Sequence, residues 1–347
     1  MDFPRYQQLV QLQNQSNDCF ANAGFNFLLS SVYFSHFIAK LPNVDPTNLP
    51  IEDLLFQHLE DVAHKGSNNL HNLNNLRNTL GNMMPEAAKF RNGTQEDASE
   101  WIIILLQAIE NVLERYGHNL SIFFRSKFSL GLDVTYKCKD MDHENIGVYQ
   151  EEMILQLAVV HPYTLPNIIE YYFKPELVEK RCQNCSCKYA TKYLHISKSP
   201  EVLIIQYLRF LQAGNMKNTN QINADIDLNF NGIQYKLTGI LIHLGATMNS
   251  GHYICITRCW TSGKFYKMDD DRRSEVLAEE IPGKIKDAYM LMYCKQSVRP
   301  QDLPTPSYVG ATTYQGHVSS HEEEELASAT YVPIHTGATS EDQVNII

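Results

Sequence analysis

A polar, helix-breaking run from Leu12 to Asp18 gives way to a stretch in which Phe20, Ala23, Phe27, Leu28 and Val32 recur at roughly helical spacing. This predicts a helix beginning at Cys19 and capped by Asn17 or Asp18. A second helical face runs from Ile51 to Ala63 through Leu54, Leu55, Leu59 and Val62. The Asn- and His-rich span from Gly66 to Asn78 reads as a loop or a ragged helix. A clearer helix follows, with Thr94 as its cap, Asp97 three positions on in capping-box fashion, and Ala98, Trp101, Leu105, Ile109 and Leu113 along its apolar face.

From about Ser121 the period shortens to two. Phe124, Lys127 to Leu130, and Leu132 to Cys138 alternate like strands, as do Met153 to Leu157. Thr164 to Tyr172 reads as a short helix. Five more strand-like runs follow: Val202–Tyr207, Tyr235–His243, His252–Thr257, Phe265–Met268 and Ala288–Tyr293. Helices followed by strands, with turn material between neighbours, imply an α+β fold containing an antiparallel sheet. Beyond about Ser297 the periodicity stops. Pro300, Pro304, Pro306 and many Ser, Thr and Gly residues precede the acidic run Glu322–Glu325, so residues 298–347 are expected to be a disordered tail.

Charge and cysteine usage narrow the setting. A net charge of −10 over 347 residues argues against a broad nucleic-acid face. No apolar run is long enough to span a bilayer, and the N-terminus lacks the pattern of an export signal. The eight cysteines are therefore expected to be reduced, in the cytoplasm and/or nucleus.

Three stretches carry candidate chemistry. Cys19 would lie in the first turn of its helix, where orphan N–H groups and the helix dipole favour a thiolate, and the upstream amide of Asn14 could bind an oxyanion. A buried structural cysteine fits the same stretch. In Asn249-Ser250-Gly251-His252-Tyr253 a flexible loop delivers His252 at the start of a strand, and Gly251 lets a substrate backbone approach. Asp269, opening an Asp-rich turn after the next strand, would reach His252 if the two strands pair. Taken singly, these read as a loop histidine and an ordinary turn.

Together they resemble the ubiquitin-specific protease family of papain-like thiol peptidases. Leu12, Asn14, Asn17, Cys19 and Asn22 match the family's cysteine box, with Phe20 for its tyrosine. Tyr235, Leu237, Ile240, His243, Gly245, Gly251, His252 and Tyr253 match its histidine box. Phe265 to Asp270 resembles a later element, with Phe265 and Met268 in place of its two aromatics, and Ala288, Tyr289, Leu291 and Tyr293 match the closing one. Gln95 to Trp101, Cys182 and Cys185, and Pro200 to Phe210 add three more, in the family's order over roughly residues 8–296. The resemblance implies one papain-like domain over 1–297, with a helical thumb (about 1–120), β fingers (about 121–200) and a β palm (about 201–297). It implies a deubiquitinase acting after the C-terminal glycine of ubiquitin on ubiquitinated proteins. Cys19 would be nucleophile, His252 base, Asp269 its orienter and Asn14 an oxyanion donor. Asp97, Gly251 and Tyr253 would meet ubiquitin's tail, Asp97 being as well explained by helix capping. Catalysis would need no cofactor. The family's structural zinc would use Cys182, Cys185 and Cys138, completed by His143 or Cys187 because Met141 stands where a fourth cysteine is expected. A degenerate, metal-free site is the alternative.

The chain departs from the pattern at Gln11 and Ser16, which replace glycines, at Glu96, which replaces a glutamine, and at Asp18, which replaces a threonine beside Cys19. The loop from Gly245 to Gly251 is also slightly longer. A carboxylate pointing at the sulfur would oppose thiolate formation. These changes leave open a weak or inactive ubiquitin-binding pseudo-enzyme, or a protease for another ubiquitin-like modifier.

Overall fold

The computed structural model describes residues 9–39, 51–65, 72–141, 143–210, 216–247, 250–260 and 262–296. The expected tail, and the residues from Gly66 to His71, lie outside them. The helices come first: α1 (Cys19–Leu29), α2 (Val32–Ala39), α3 (Ile51–Lys65), α4 (Asn72–Met83), a 3-10 segment (Pro85–Arg91), α5 (Ala98–Tyr116) and α6 (His118–Phe128). Then come β1 (Leu130–Cys138), β2 (Glu144–Glu152), β3 (Leu155–Ala158), α7 (Leu165–Tyr172), β4 (Glu176–Glu179), β5 (Tyr189–Lys198) and β6 (Val202–Leu208). The last part holds β7 (Asp227–Phe230), β8 (Ile233–Thr247), β9 (Ser250–Arg258), β10 (Phe265–Asp269), β11 (Arg272–Val276), α8 (Ile281–Ile285) and β12 (Ala288–Lys295). The α+β class holds. Among the described residues, no helix is long and apolar enough to cross a membrane.

Two sheets organise the strands. The larger runs β11-β10-β9-β8-β12-β6-β3, with β7 also paired to β8; every pairing is antiparallel except β3 with β6. The smaller runs β2-β1-β5-β4. The middle of β8, Leu237–His243, and β12 from Ala288 to Cys294 are buried on both faces, which is why they are mostly apolar. Helix α1 packs on one face; on the other, Leu237, Leu291 and Tyr293 join Ile168, Ile281 and Ile285 of α7 and α8 in the core. All of α1 is buried, held between the sheet and α5. Close approach on both sides demands small residues. A Cβ on Gly24 would sit 2.7 Å from Trp101, and one on Gly239 would sit 2.3 Å from Ser30 Oγ. Trp101, fully buried, meets Phe20 and Phe90 edge to face with centroids 6.1 and 5.4 Å apart. The helix that begins at Cys19 is thus fixed by packing along its length.

Several local expectations are corrected. Phe124 to Phe128 is helical rather than extended: Phe124 and Phe128 fall four apart on the buried face of α6, and Gly117 separates that helix from α5. Helix α5 is capped by Asp97, whose Oδ1 accepts from the N–H groups of Ser99 (2.7 Å) and Glu100 (3.1 Å). Thr94 instead donates to Glu96. From Asn72 the supposed loop is regular helix, with Leu73, Leu76 and Leu80 buried. Strands β2, β4, β5, β7 and β11 had no counterpart in the sequence reading.

Candidate active site and metal centre

The first residue of α1 is Cys19, buried against the larger sheet. Asn17 turns the preceding chain through a left-handed conformation, φ 56°, and donates to Gly93 O at 2.9 Å. Asp18 occupies the cap position, but its side chain makes no capping hydrogen bond to the helix. Burial pushes the Cys19 thiol up. The backbone N–H of Tyr253 pulls it down, Asp270 pushes up, and the N–H groups of Phe20 and Cys19 pull down; burial wins. The expected bias toward thiolate is therefore reversed, since desolvation outweighs the helix terminus.

The Tyr253 contact also places the sulfur beside the neighbour of His252. Strand β9 carries His252 at its start, paired to Leu244 of β8, and β10 ends on Asp269. The β9–β10 ladder brings the two side chains together, with His252 Nε2 2.7 Å from Asp269 Oδ1. Lys267 Nζ donates to the other carboxylate oxygen at 3.1 Å. Burial would raise the Asp269 carboxyl, but the bonds from His252 and Lys267 prevail and hold it below its ordinary value. With Nε2 engaged by Asp269, Nδ1 is the ring nitrogen left to exchange a proton with a thiol.

Asn14 lines a cleft with Gln13, Asp269, Asp270, Asp271 and Arg272. Its Oδ1 accepts from Asp18 N–H at 2.9 Å, and its Nδ2 donates to Asp270 Oδ2 at 3.0 Å. Asn22 Nδ2 holds the other oxygen of Asp270 at 2.8 Å. Asp270, left-handed at φ 53°, also accepts from Leu12 N–H through its carbonyl at 3.1 Å. Sequence reasoning missed the importance of Asp270 and Asn22; the run of three aspartates and the asparagine three after Cys19 were the available signals. It matched Gln95 to a family element without giving it a role; the amide closes both ways on Gly251, with Nε2 donating to Gly251 O at 2.7 Å and Oε1 accepting from Gly251 N–H at 3.0 Å.

The other suggested tail-binding residues face inward. Asp97 caps α5 and accepts from Tyr289 Oη at 2.7 Å and Tyr253 Oη at 3.4 Å. Tyr253 is buried, its ring 4.7 Å from that of His243. Gln206 Nε2 joins this buried network, donating to Ser99 Oγ and Tyr289 Oη, each at 2.8 Å.

A separate cluster stands at one end of the smaller sheet. Cys138 ends β1, His143 precedes β2, and Cys182 and Cys185 lie between β4 and β5. The four donor atoms lie within 4.8 Å of one another. Cys138 Sγ is 3.6 Å from Cys185 Sγ, and Cys182 Sγ is 3.7 Å from His143 Nδ1. Ligands about 2.0–2.3 Å from a tetrahedral zinc stand about 3.5–3.8 Å apart, so these residues fit the ion. The N–H of Asn184 and the His143 ring lower the Cys182 thiol, easing formation of the thiolate that zinc needs. His143 completes the set; Cys187 turns to the carbonyl of Tyr189, and Met141 is exposed.

Comparison with known proteins agrees with this geometry. The chain is 27% identical over 241 residues to ubiquitin carboxyl-terminal hydrolase 23 of Arabidopsis thaliana, covering 63% of this chain and 28% of that protein. It is 31% identical over 203 residues to ubiquitin carboxyl-terminal hydrolase 36 of Drosophila melanogaster, covering 51% and 19%. The chain thus spans under a third of the length of these relatives. The SAGA DUB module Ubp8/Sgf11/Sus1/Sgf73 bound to monoubiquitin has the same fold, with a TM-score of 0.72 at 22% identity over 86% of this chain and 71% of that one. The ubiquitin-aldehyde-bound module gives 0.71 at 21%, covering 86% and 72%. The family model for ubiquitin carboxyl-terminal hydrolases matches residues 10–293, from before the cysteine stretch to the last strand of the larger sheet, and the chain belongs to that family.

Proposed function

We propose that this chain is a thiol-dependent deubiquitinase, hydrolysing isopeptide or peptide bonds after the C-terminal glycine of ubiquitin. The observation that carries this reading is the His252–Asp269 pair at 2.7 Å, set beside a cysteine whose sulfur receives the next residue's N–H. Because Cys19 rests as the thiol, attack begins with proton transfer to His252 Nδ1. The sulfur then adds to the carbonyl carbon, and the oxyanion is met by Asn14 Nδ2, which has one hydrogen on Asp270 and one to spare. Protonated His252, steadied by Asp269, gives its proton to the departing amine. A thioester on Cys19 remains. Water, deprotonated by His252, attacks that carbonyl and releases the carboxylate and the thiol. In this reading residues 1–297 form the catalytic domain, working in the cytoplasm and/or nucleus. Zinc on Cys138, His143, Cys182 and Cys185 would cross-link the tip of the fingers without joining the chemistry. Turnover of a ubiquitin C-terminal amide reporter tests the proposal; equal rates for wild type and Cys19→Ala would refute it.

The burial that keeps Cys19 protonated favours a second reading, a module that binds ubiquitin without cutting it. A ubiquitin bearing a C-terminal electrophile separates the two: covalent labelling of Cys19 identifies the enzyme, and binding without labelling the module. Probes built on other ubiquitin-like modifiers decide the substrate.

A further inference from the structure

Asp18 precedes the nucleophile and is itself 2% exposed. A buried carboxylate at that position threatens the chemistry twice. Unpaired, it is costly to bury, and its charge opposes formation of the neighbouring thiolate. The structure answers it from α4. The guanidinium of Arg77, 5% exposed, meets Asp18 Oδ1. Asp18 Oδ2 accepts from the N–H groups of Gln15 (3.1 Å) and Ser16 (3.3 Å). Arg77 also donates to Asn74 at 2.5 Å, and Asn74 donates to Gln15 Oε1 at 3.1 Å, so α4 grips the loop twice. The same loop presents Asn14, whose side-chain oxygen holds Asp18 N–H.

We infer that Arg77 is a positioning residue for the reaction: by pairing with Asp18 inside the protein, it keeps that carboxylate from acting on Cys19 and sets the loop that carries Asn14. The inference rests on the hydrolase reading only in giving that loop a catalytic purpose. The carboxylate whose charge acts on the sulfur is Asp270, from the turn after β10, with the Tyr253 N–H of β9 opposing it; His252 of β9 and Asp269 at the end of β10 are paired with each other. Asp18 and Arg77 are the pair nearest in sequence and on α4. Asp270 is anchored by Asn14 and Asn22, and Asp269 by His252 and Lys267; Asp18 has two loop N–H groups and, as its cation, the buried Arg77.

The test follows iodoacetamide alkylation of Cys19 against pH, located by mass spectrometry, in wild type, Arg77→Met and Asp18→Thr/Arg77→Met. It needs no ubiquitin. In Arg77→Met the Asp18 side chain loses its cation and keeps only its two backbone N–H bonds, so alkylation at neutral pH should slow about tenfold and its rise should move about one pH unit upward. The double variant, lacking both charges, should return to the wild-type profile and recover reporter turnover. A single variant that superimposes on wild type, or a double variant no better than the single, overturns the inference. Should Arg77→Met not fold, a folded double variant with the wild-type profile supports the pairing, and an unfolded one overturns it. A wild type that alkylates with this pH dependence yet never cleaves the reporter refutes the hydrolase reading and leaves this one intact.

Discussion

Gln95 ties the segment before α5 to the loop that presents His252, and replacing it isolates that tie. The side chain makes two hydrogen bonds to the backbone of Gly251, at 2.7 and 3.0 Å, one as donor and one as acceptor. Both partners are half-buried, so water recovers part of what is lost. At a net worth of about 0.5–1.5 kcal/mol each, the pair stabilises the seated loop by roughly 1–2 kcal/mol once that recovery is counted. Losing it changes the seated population about 5–30-fold. Gln95→Ala should therefore lower reporter kcat/KM by up to that factor and raise the exchange rate of the Gly251 amide to a similar extent. Gln95→Glu keeps the acceptor and loses the donor, so its effect should be intermediate. Gln95 touches no reacting atom; it acts through Gly251 on the placement of His252. If Gln95→Ala leaves both kcat/KM and Gly251 protection within about twofold of wild type, the loop is seated by something else and the reasoning fails.

Three further outcomes are expected. Purified protein should carry about one zinc per chain, reduced by His143→Ala or Cys185→Ala, and a chelator should lower its melting temperature; metal-free protein with all four ligands intact would discard the site. Asp269 is held below its ordinary pKa, so its contribution to stability is present above the unfolded value of about 4 and is lost as pH falls through the folded value. The denaturant midpoints of wild type and Asp269→Asn should accordingly differ at pH 6 and converge in stronger acid; a constant gap would contradict the assignment. Gly239→Ala drives a methyl to 2.3 Å from Ser30 Oγ and 3.1 Å from Phe27, which should cost about 1–3 kcal/mol and about 2–12 °C in melting temperature, partly restored by Ser30→Ala.

Much of this architecture is legible in the residue pattern because its signals are local. The apolar spacing after Asp18 marks α1, and the all-apolar β12 marks a strand covered on both faces. The misreadings have physical causes. In α6 the residues around Phe124 and Phe128 suit either period, and only packing on neighbouring Phe37 and Phe128 settles the helix. Strand β4 is mostly exposed, and most of β5 is half-buried on both faces, so neither shows a clean alternation. At the site, Cys19, His252 and Asp269 stand in recognisable surroundings. The clasp of Asn14 and Asn22 on Asp270 does not, because it joins residues 256 and 248 positions apart. The direction of the Cys19 shift was equally hidden: a helix start is visible in a sequence, whereas the depth at which it is buried belongs to the whole fold.

That separation along the chain has a consequence for synthesis. Cys19 leaves the ribosome early, while His252, Asp269 and Asp270 arrive only with β9, β10 and the turn that follows. Until those strands pair, the nascent polypeptide holds Cys19 without the His252–Asp269 pair. The constellation is thus completed late in translation, and an interrupted product lacks it.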